Sequence, residues 1–186
     1  MSQTESAETQ QTQYLSFFIA AEEYALGILS VKEIIEYTIV TKLPSTPPAI
    51  RGVINLRGSV VPVVDLAVGF GLPESPVTKW TCIVMVECDV EGERTTIGIV
   101  VDSVSQVIDL LPSDIEPPPA FGTRLRTDFL NGMGKVGKKF VLILDLDRLL
   151  STGELLSAAA STVRTASELA AAAQATEVPV VEGPRP

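Results

Sequence analysis

Two stretches of this chain lie 80 positions apart and are built alike, and this internal echo constrains the fold more than any other feature. Gly52 falls on Gly132, Val60-Val61 on Phe140-Val141 and Asp65-Leu66 on Asp145-Leu146, with no gap. Upstream, Val31-Lys32-Glu33-Ile34-Ile35-Glu36 echoes Val104-Ser105-Gln106-Val107-Ile108-Asp109, and Leu26-Gly27-Ile28 echoes Ile97-Gly98-Ile99. Such repetition marks a duplicated unit; the competing explanation is chance likeness among short Val/Ile strands. Each half carries about five short β-branched runs parted by turn residues, the pattern of a small barrel with few free edges. The expectation is an all-β fold of two five-stranded barrels side by side, with a cleft between them as a docking surface.

The segment from Leu43 to Leu66 shows how each unit is made. Pro44, Pro47 and Pro48 fix φ and push their predecessors toward extended backbone, so no helix forms there. Val53-Ile54-Asn55-Leu56 and Ser59-Val60-Val61-Pro62-Val63-Val64 then read as strands, joined by a turn at Arg57-Gly58. Gly58 supplies the positive φ that such a turn needs. Arg57 is thereby held at the end of a stiff hairpin.

The other elements follow the same logic. Gln13 to Ala20 and Tyr24 to Ile28 read as a hairpin, and Leu29 to Tyr37 as a brief turn followed by a strand. Trp80 to Glu87 pairs with Thr95 to Val101; Ser103 to Leu110, Phe129 to Val136 and Lys139 to Leu144 follow as strands. Gly132-Met133-Gly134 marks a bulge or a close backbone approach. The expected organisation is a polar, mobile start over 1–12, barrels over about 13–78 and 79–150, an Ala-rich helix over 151–174 and a disordered Pro-rich tail over 175–186.

Bulk chemistry excludes several functions. A formal net charge of −9 is wrong for nucleic acid and for anionic lipid. No apolar run approaches the roughly 18 residues of a membrane span, and the first residues lack a signal-peptide pattern. The reading is a soluble, cytoplasmic protein without direct membrane insertion. The chain has no histidine, which removes the usual general base, the commonest metal ligand and every Ser-His or Cys-His nucleophile. Cys82 and Cys88, six apart in one strand, share a face as buried thiols; no metal-ligand spacing is present. No cofactor is expected.

Few residues remain as candidates for chemistry. Asp65 and Asp145 hold matching places after a strand, so they read either as an acid–base pair or as N-caps, their repetition favouring caps. The glycines form no phosphate loop. Arg57 is either a solvated surface group or an interface residue. Phe121, behind Pro117-Pro118-Pro119, either tucks into the core or forms a stiff protein-binding knob.

Three blocks carry a resemblance: Leu29 to Ile34, Pro47 to Leu66 with its Asn55-Leu56-Arg57-Gly58 motif, and Ile97 to Val104. Together with Phe129 to Gly134 and Ile143-Leu144-Asp145, they make the chain resemble the CheW family of bacterial chemotaxis coupling proteins from about Tyr14 to Leu150. The resemblance implies SH3-like barrels and no catalysis. It implies an adaptor joining the regulatory domain of the chemotaxis histidine kinase to the cytoplasmic tip of methyl-accepting receptors, at receptor arrays. By position it places Val31, Glu33, Gly52 and Arg57 at a receptor surface, and Ile39, Val40 and Phe121 at kinase contacts. It leaves open an adaptor in another chemosensory pathway, such as pilus-driven motility. A carboxylate enzyme built on Asp65 or Asp145 is the reading from another class.

Overall fold

Both sheets of the protein are assembled by exchange between its two halves. The computed structural model describes residues 11–90, 92–118, 127–151, 161–162, 164–169 and 171–172. The first half supplies β1 (Thr12–Ile19), β2 (Glu22–Gly27), β3 (Val31–Glu36), β4 (Ile50–Leu56), β5 (Ser59–Asp65) and the single-turn helix α1 (Leu66–Gly69). The second supplies β6 (Cys82–Val90), β7 (Glu93–Val101), β8 (Ser103–Leu110), β9 (Ile115–Glu116), β10 (Leu130–Val136), β11 (Lys139–Leu144) and α2 (Leu146–Ser151). One sheet has the order β8-β1-β2-β11-β10-β9 and the other β3-β6-β7-β5-β4.

These orders correct the expected division at 78/79. The hairpin β1–β2 leaves its own half and completes the sheet of β8, β10 and β11, while β6–β7 crosses to complete that of β3, β4 and β5. Two parallel pairings seal the exchange: Leu142 and Ile143 lie beside Tyr24 and Ala25, and Val63 and Val64 beside Gly98 and Ile99. The same pairings slide one of the expected echoes by two residues. Ala25, not Gly27, holds the place of Gly98. The two-residue β9 also makes one sheet six-stranded rather than five-stranded.

Burial explains why the exchange is stable. Strand side chains alternate between faces, and here both faces find a core. Tyr14, Ala25, Ile108, Leu110, Val141 and Ile143 fill one sheet's own interior, and Ile54, Val61, Val63, Ile83, Met85 and Val100 fill the other's. The alternate residues Leu15, Phe17, Tyr24 and Leu26 meet Val84, Val86, Ile97, Ile99 and Val101 in a third and largest core, shared by the two sheets. The junction expected as an open cleft is therefore packed. Strands buried on both faces read as continuous apolar runs, as Ile83-Val84-Met85-Val86 does, each residue wholly buried.

Other local expectations meet the structure closely. Ile28–Ser30 is a brief 3-10 turn before β3. The ladders slip between Ile50 and Gly52 and again between Leu130 and Gly132, so the 80-residue echo includes its β-bulges. Trp80 departs from expectation: β6 starts only at Cys82, and Trp80 sits in a turn ahead of it. Residues 161–162, 164–169 and 171–172 are helical, with Thr162 and Ala166 buried; residues 1–10, 173–186 and Phe121 lie outside the described residues.

Cys82 and Cys88 both turn toward the shared core. Burial pushes the Cys88 thiol up to about 11 from an ordinary 9.0, with Asp147, Asp89 and Glu87 adding to the shift. The folded state holds that proton more tightly, so this stabilisation is present below about pH 9 and is lost as the pH climbs toward 11. A disulfide reagent at about pH 8 should therefore modify Cys88 only after denaturant is added, because the thiolate is the reacting form. Rapid labelling of Cys88 in the native protein would contradict this burial.

Candidate protein-docking surfaces

The β4–β5 hairpin builds the first surface. Leu56 pairs with Ser59 across a two-residue turn in which Arg57 has φ 51° and Gly58 φ 84°. Two positive φ values define the tight turn whose twist suits a hairpin. A left-handed arginine costs roughly 1–2 kcal/mol, and local bonds help to hold it. The Gly58 N–H donates to Asn55 Oδ1 at 3.0 Å. Both terminal nitrogens of Arg57 donate to the Glu33 carboxylate on β3, at 2.8 and 3.0 Å.

Arg57 is thus locked side-on to Glu33 rather than free at a tip. Hydrogen bonding from Arg57 holds the Glu33 carboxyl below the usual carboxylate range, and the same bonds raise the guanidinium. The pair therefore persists at neutral pH and is lost only as the pH falls below the ordinary carboxylate range. Arginine carries five donors in a planar fork, so the locked pair still offers unused N–H groups at the surface. A bidentate pair of this kind is a plate of fixed geometry.

The remaining receptor-surface candidates divide. Val31 is half-buried and packs on the shared core, so its side chain is largely committed inward. Gly52 is a correction: it is buried and presents nothing outward. Its φ is +145°, and a Cβ there would sit 2.1 Å from the Thr41 carbonyl oxygen. The bare backbone lets residue 41 pair with β4: the Thr41 N–H donates to Val53 O at 2.8 Å, and the Val53 N–H donates to Thr41 O at 2.9 Å. Sequence reasoning missed Leu29, which stands exposed on the 3-10 turn ahead of β3, and Ile34, exposed on the face of β3 opposite to Glu33. The signal available was the turn before β3, which throws Leu29 outward.

Sequence reasoning also missed Arg51, whose side chain is only 6% exposed. Its Nε donates to Asp65 Oδ2 at 2.9 Å, one terminal nitrogen donates to Tyr37 Oη at 3.2 Å, and the other reaches Ser75 O at 2.8 Å and Glu74 at 3.5 Å. Burial works against its charge, but bonds to Tyr37 and Asp65 and the field of Glu74 outweigh it and raise its basicity. This buried cation staples the start of β4 to the end of β5 and to the loop behind it.

Asp65 is fully committed by these bonds. Beyond Arg51, its Oδ1 accepts the Val68 N–H at 3.3 Å as the N-cap of α1. Asp145 accepts the Arg148 N–H at 3.1 Å in the matching place before α2. Both aspartates are caps, which answers the alternative that repetition had already favoured.

Of the residues that the resemblance assigned to kinase contacts, Ile39 is 88% exposed in the segment after β3, whereas Val40 packs partly into the second sheet's interior. Phe121 lies outside the described residues. No helix among the described residues is long and apolar enough to cross a membrane.

Known proteins fit this geometry. The CheW-like domain profile matches residues 13–154. The chemotaxis protein CheW of Klebsiella aerogenes is 38% identical over 150 residues, covering 81% of this chain and 88% of its own. That of Bacillus subtilis is 35% identical over 136 residues, covering 72% and 83%. In three dimensions, the scaffolding protein CheW from Thermoanaerobacter tengcongensis superposes with a TM-score of 0.69 at 34% identity, covering 80% of this chain and 93% of that one. With a family profile spanning both exchanged sheets and relatives of this similarity over nearly their whole length, the chain belongs to the CheW family of chemotaxis scaffold proteins.

Proposed function

We propose that this protein is a non-catalytic adaptor that couples the cytoplasmic tips of methyl-accepting chemoreceptors to a chemotaxis histidine kinase, working in the cytoplasm at receptor arrays. The Arg57–Glu33 plate carries the receptor half of this reading. Both bonds of the pair are already formed without a partner, which lowers the ordering cost of docking. Leu29 stands exposed on the turn that leads into β3 and supplies apolar area on the approach to the pair. A charged pair with an aliphatic group on its approach suits an amphipathic helix laid across it. Gly52 acts here as a positioning residue, and Val31 anchors the start of β3 on the shared core. Ile39, with Val40 holding its segment, serves the kinase, together with Phe121, which lies outside the described residues.

The test is Arg57→Ala in a receptor pull-down. Loss of a central arginine anchor should weaken capture by about tenfold or more, while the melting temperature stays unchanged because the pair is exposed. Unchanged capture would remove the plate from the receptor interface.

A further inference from the structure

β11 and β2 run parallel, but their ladder begins only at Leu142 with Tyr24 and Ile143 with Ala25. Ahead of that point the two strands part. β1 occupies the other side of Glu22 and Glu23, and β10 the other side of Lys139 and Phe140. The backbone edges that face each other therefore carry no ladder. Between them lies a groove of about 390 Å³, lined by Phe18, Ala21, Phe140 and Leu142. An open strand edge is a template for an added extended segment, and Phe140, 47% exposed, offers that segment an apolar contact.

The rim carries both signs. Lys139 Nζ donates to the Glu23 carboxylate at 2.5 Å, and those two charges cancel. Lys135, across the ladder from Phe140, and Lys138 in the turn are exposed and enter no ion pair among the described residues. Glu22 stands exposed on the opposite lip, where the Tyr24 hydroxyl donates to it at 3.1 Å. The groove suits an extended apolar segment with carboxylates toward β10–β11 and a cation toward β2.

The C-terminal end of this chain has that composition. Glu177 and Glu182 bracket Val178-Pro179-Val180-Val181, and Arg185 follows. Pro179 biases Val178 toward extended backbone and is tolerated on an outer strand. The helical residues Thr162 and Thr165 share a cavity with Thr46 and Pro47 of the loop before β4. Ala49 O of that loop accepts the Asp65 N–H at 2.7 Å, and Asp65 lies beside Val100. Two residues on, Asp102 Oδ2 accepts the Ala20 N–H at 2.8 Å in the turn beside the groove. Helix seat and groove thus hang from the same end of β7. From Ala172, the last described residue, eight extended residues to Val180 span roughly 27 Å.

We propose that residues 177–182 dock in this groove as an added extended segment of the same molecule. Val180 and Val181 pack on Phe140, the two glutamates meet Lys135 and Lys138, and Arg185 faces Glu22. The contact goes beyond the coupling role and depends on neither receptor nor kinase. A tethered segment is held at about 1 mM, so a groove that binds the free segment at roughly 0.1 mM is about nine-tenths filled and its amides exchange about tenfold more slowly.

The test compares the full-length protein with its Val180→Asp, Val181→Asp double variant, which keeps both glutamates. Hydrogen exchange is read over residues 20–24 and 138–142, and carbodiimide coupling of lysine to carboxylate is mapped by mass spectrometry. Exchange about tenfold slower in the wild type is expected, with Lys135 or Lys138 coupled to Glu177 or Glu182 inside the monomer. The variant should lose both signals, and a synthetic peptide of residues 175–186 at millimolar concentration should restore its protection. Equal exchange in the two proteins, or no protection from the peptide, overturns the proposal. Coupling as frequent at Lys42 and Lys79 as at Lys135 and Lys138 overturns it too. Coupling found only between molecules gives the groove to a second copy and overturns it as well.

Discussion

Replacing Asp65 with alanine is expected to remove about 3–5 kcal/mol of stability, the range for stripping one partner from a buried ion pair. The cost arises because the guanidinium of Arg51 stays behind, 6% exposed, with its closest carboxylate gone. Loss of the α1 cap adds to it. Asp145→Ala at the matching position should cost only about 0.5–2 kcal/mol, the range for losing a cap. Its carboxylate meets Arg148 near the surface, where the arginine side chain is 67% exposed and can return to water. Urea unfolding of the two variants side by side checks the difference. Equal losses would show that Arg51 finds a substitute, and Glu74, already at 3.5 Å, is the carboxylate within reach. A paired change of Arg51→Met with Asp65→Leu should recover much of the loss, since buried ion pairs are often replaceable by packed apolar groups.

Gly52→Ala should be nearly as damaging, for a different reason. An L-residue forced to φ +145° carries strain of about 1–3 kcal/mol. A methyl 2.1 Å from Thr41 O cannot be accommodated by a side-chain rotation, because the obstacle is backbone. The segment at Thr41 must move away, breaking two hydrogen bonds to Val53 at about 0.5–1.5 kcal/mol each. The variant should also bind receptor poorly, because β4 carries the turn that aims Arg57. The discriminating measurement is receptor capture by the folded fraction, well below the variant's melting temperature. If capture recovers fully there while stability stays low, Gly52 serves the fold alone.

Much of the site was legible because its logic is local. The Arg57-Gly58 turn, the caps at Asp65 and Asp145 and the bulge at Gly132 each follow from a few adjacent residues, whereas the matching bulge at Gly52 was seen only in the structure. What escaped depended on distant partners. Nothing near Arg57 announces that Glu33, 24 residues earlier, will occupy it. Arg51 looked like any arginine before a strand until Asp65, Tyr37, Ser75 and Glu74 closed around it. Trp80 read as the first residue of a strand because aromatic residues favour strands, yet the threonine bonds of its turn place it outside β6.

Strand content, the duplicated plan and the position of most turns were determined by the amino-acid sequence, because backbone restriction by proline and glycine and the two-residue alternation of apolar groups act within a few residues. The exchange of β1–β2 for β6–β7 was decided only in the tertiary structure. Each hairpin is apolar on both faces, and such a hairpin pairs equally well, by its own pattern, with either half. The choice falls to the shared core, where residues from opposite ends of the chain bury one another, and no local pattern records that.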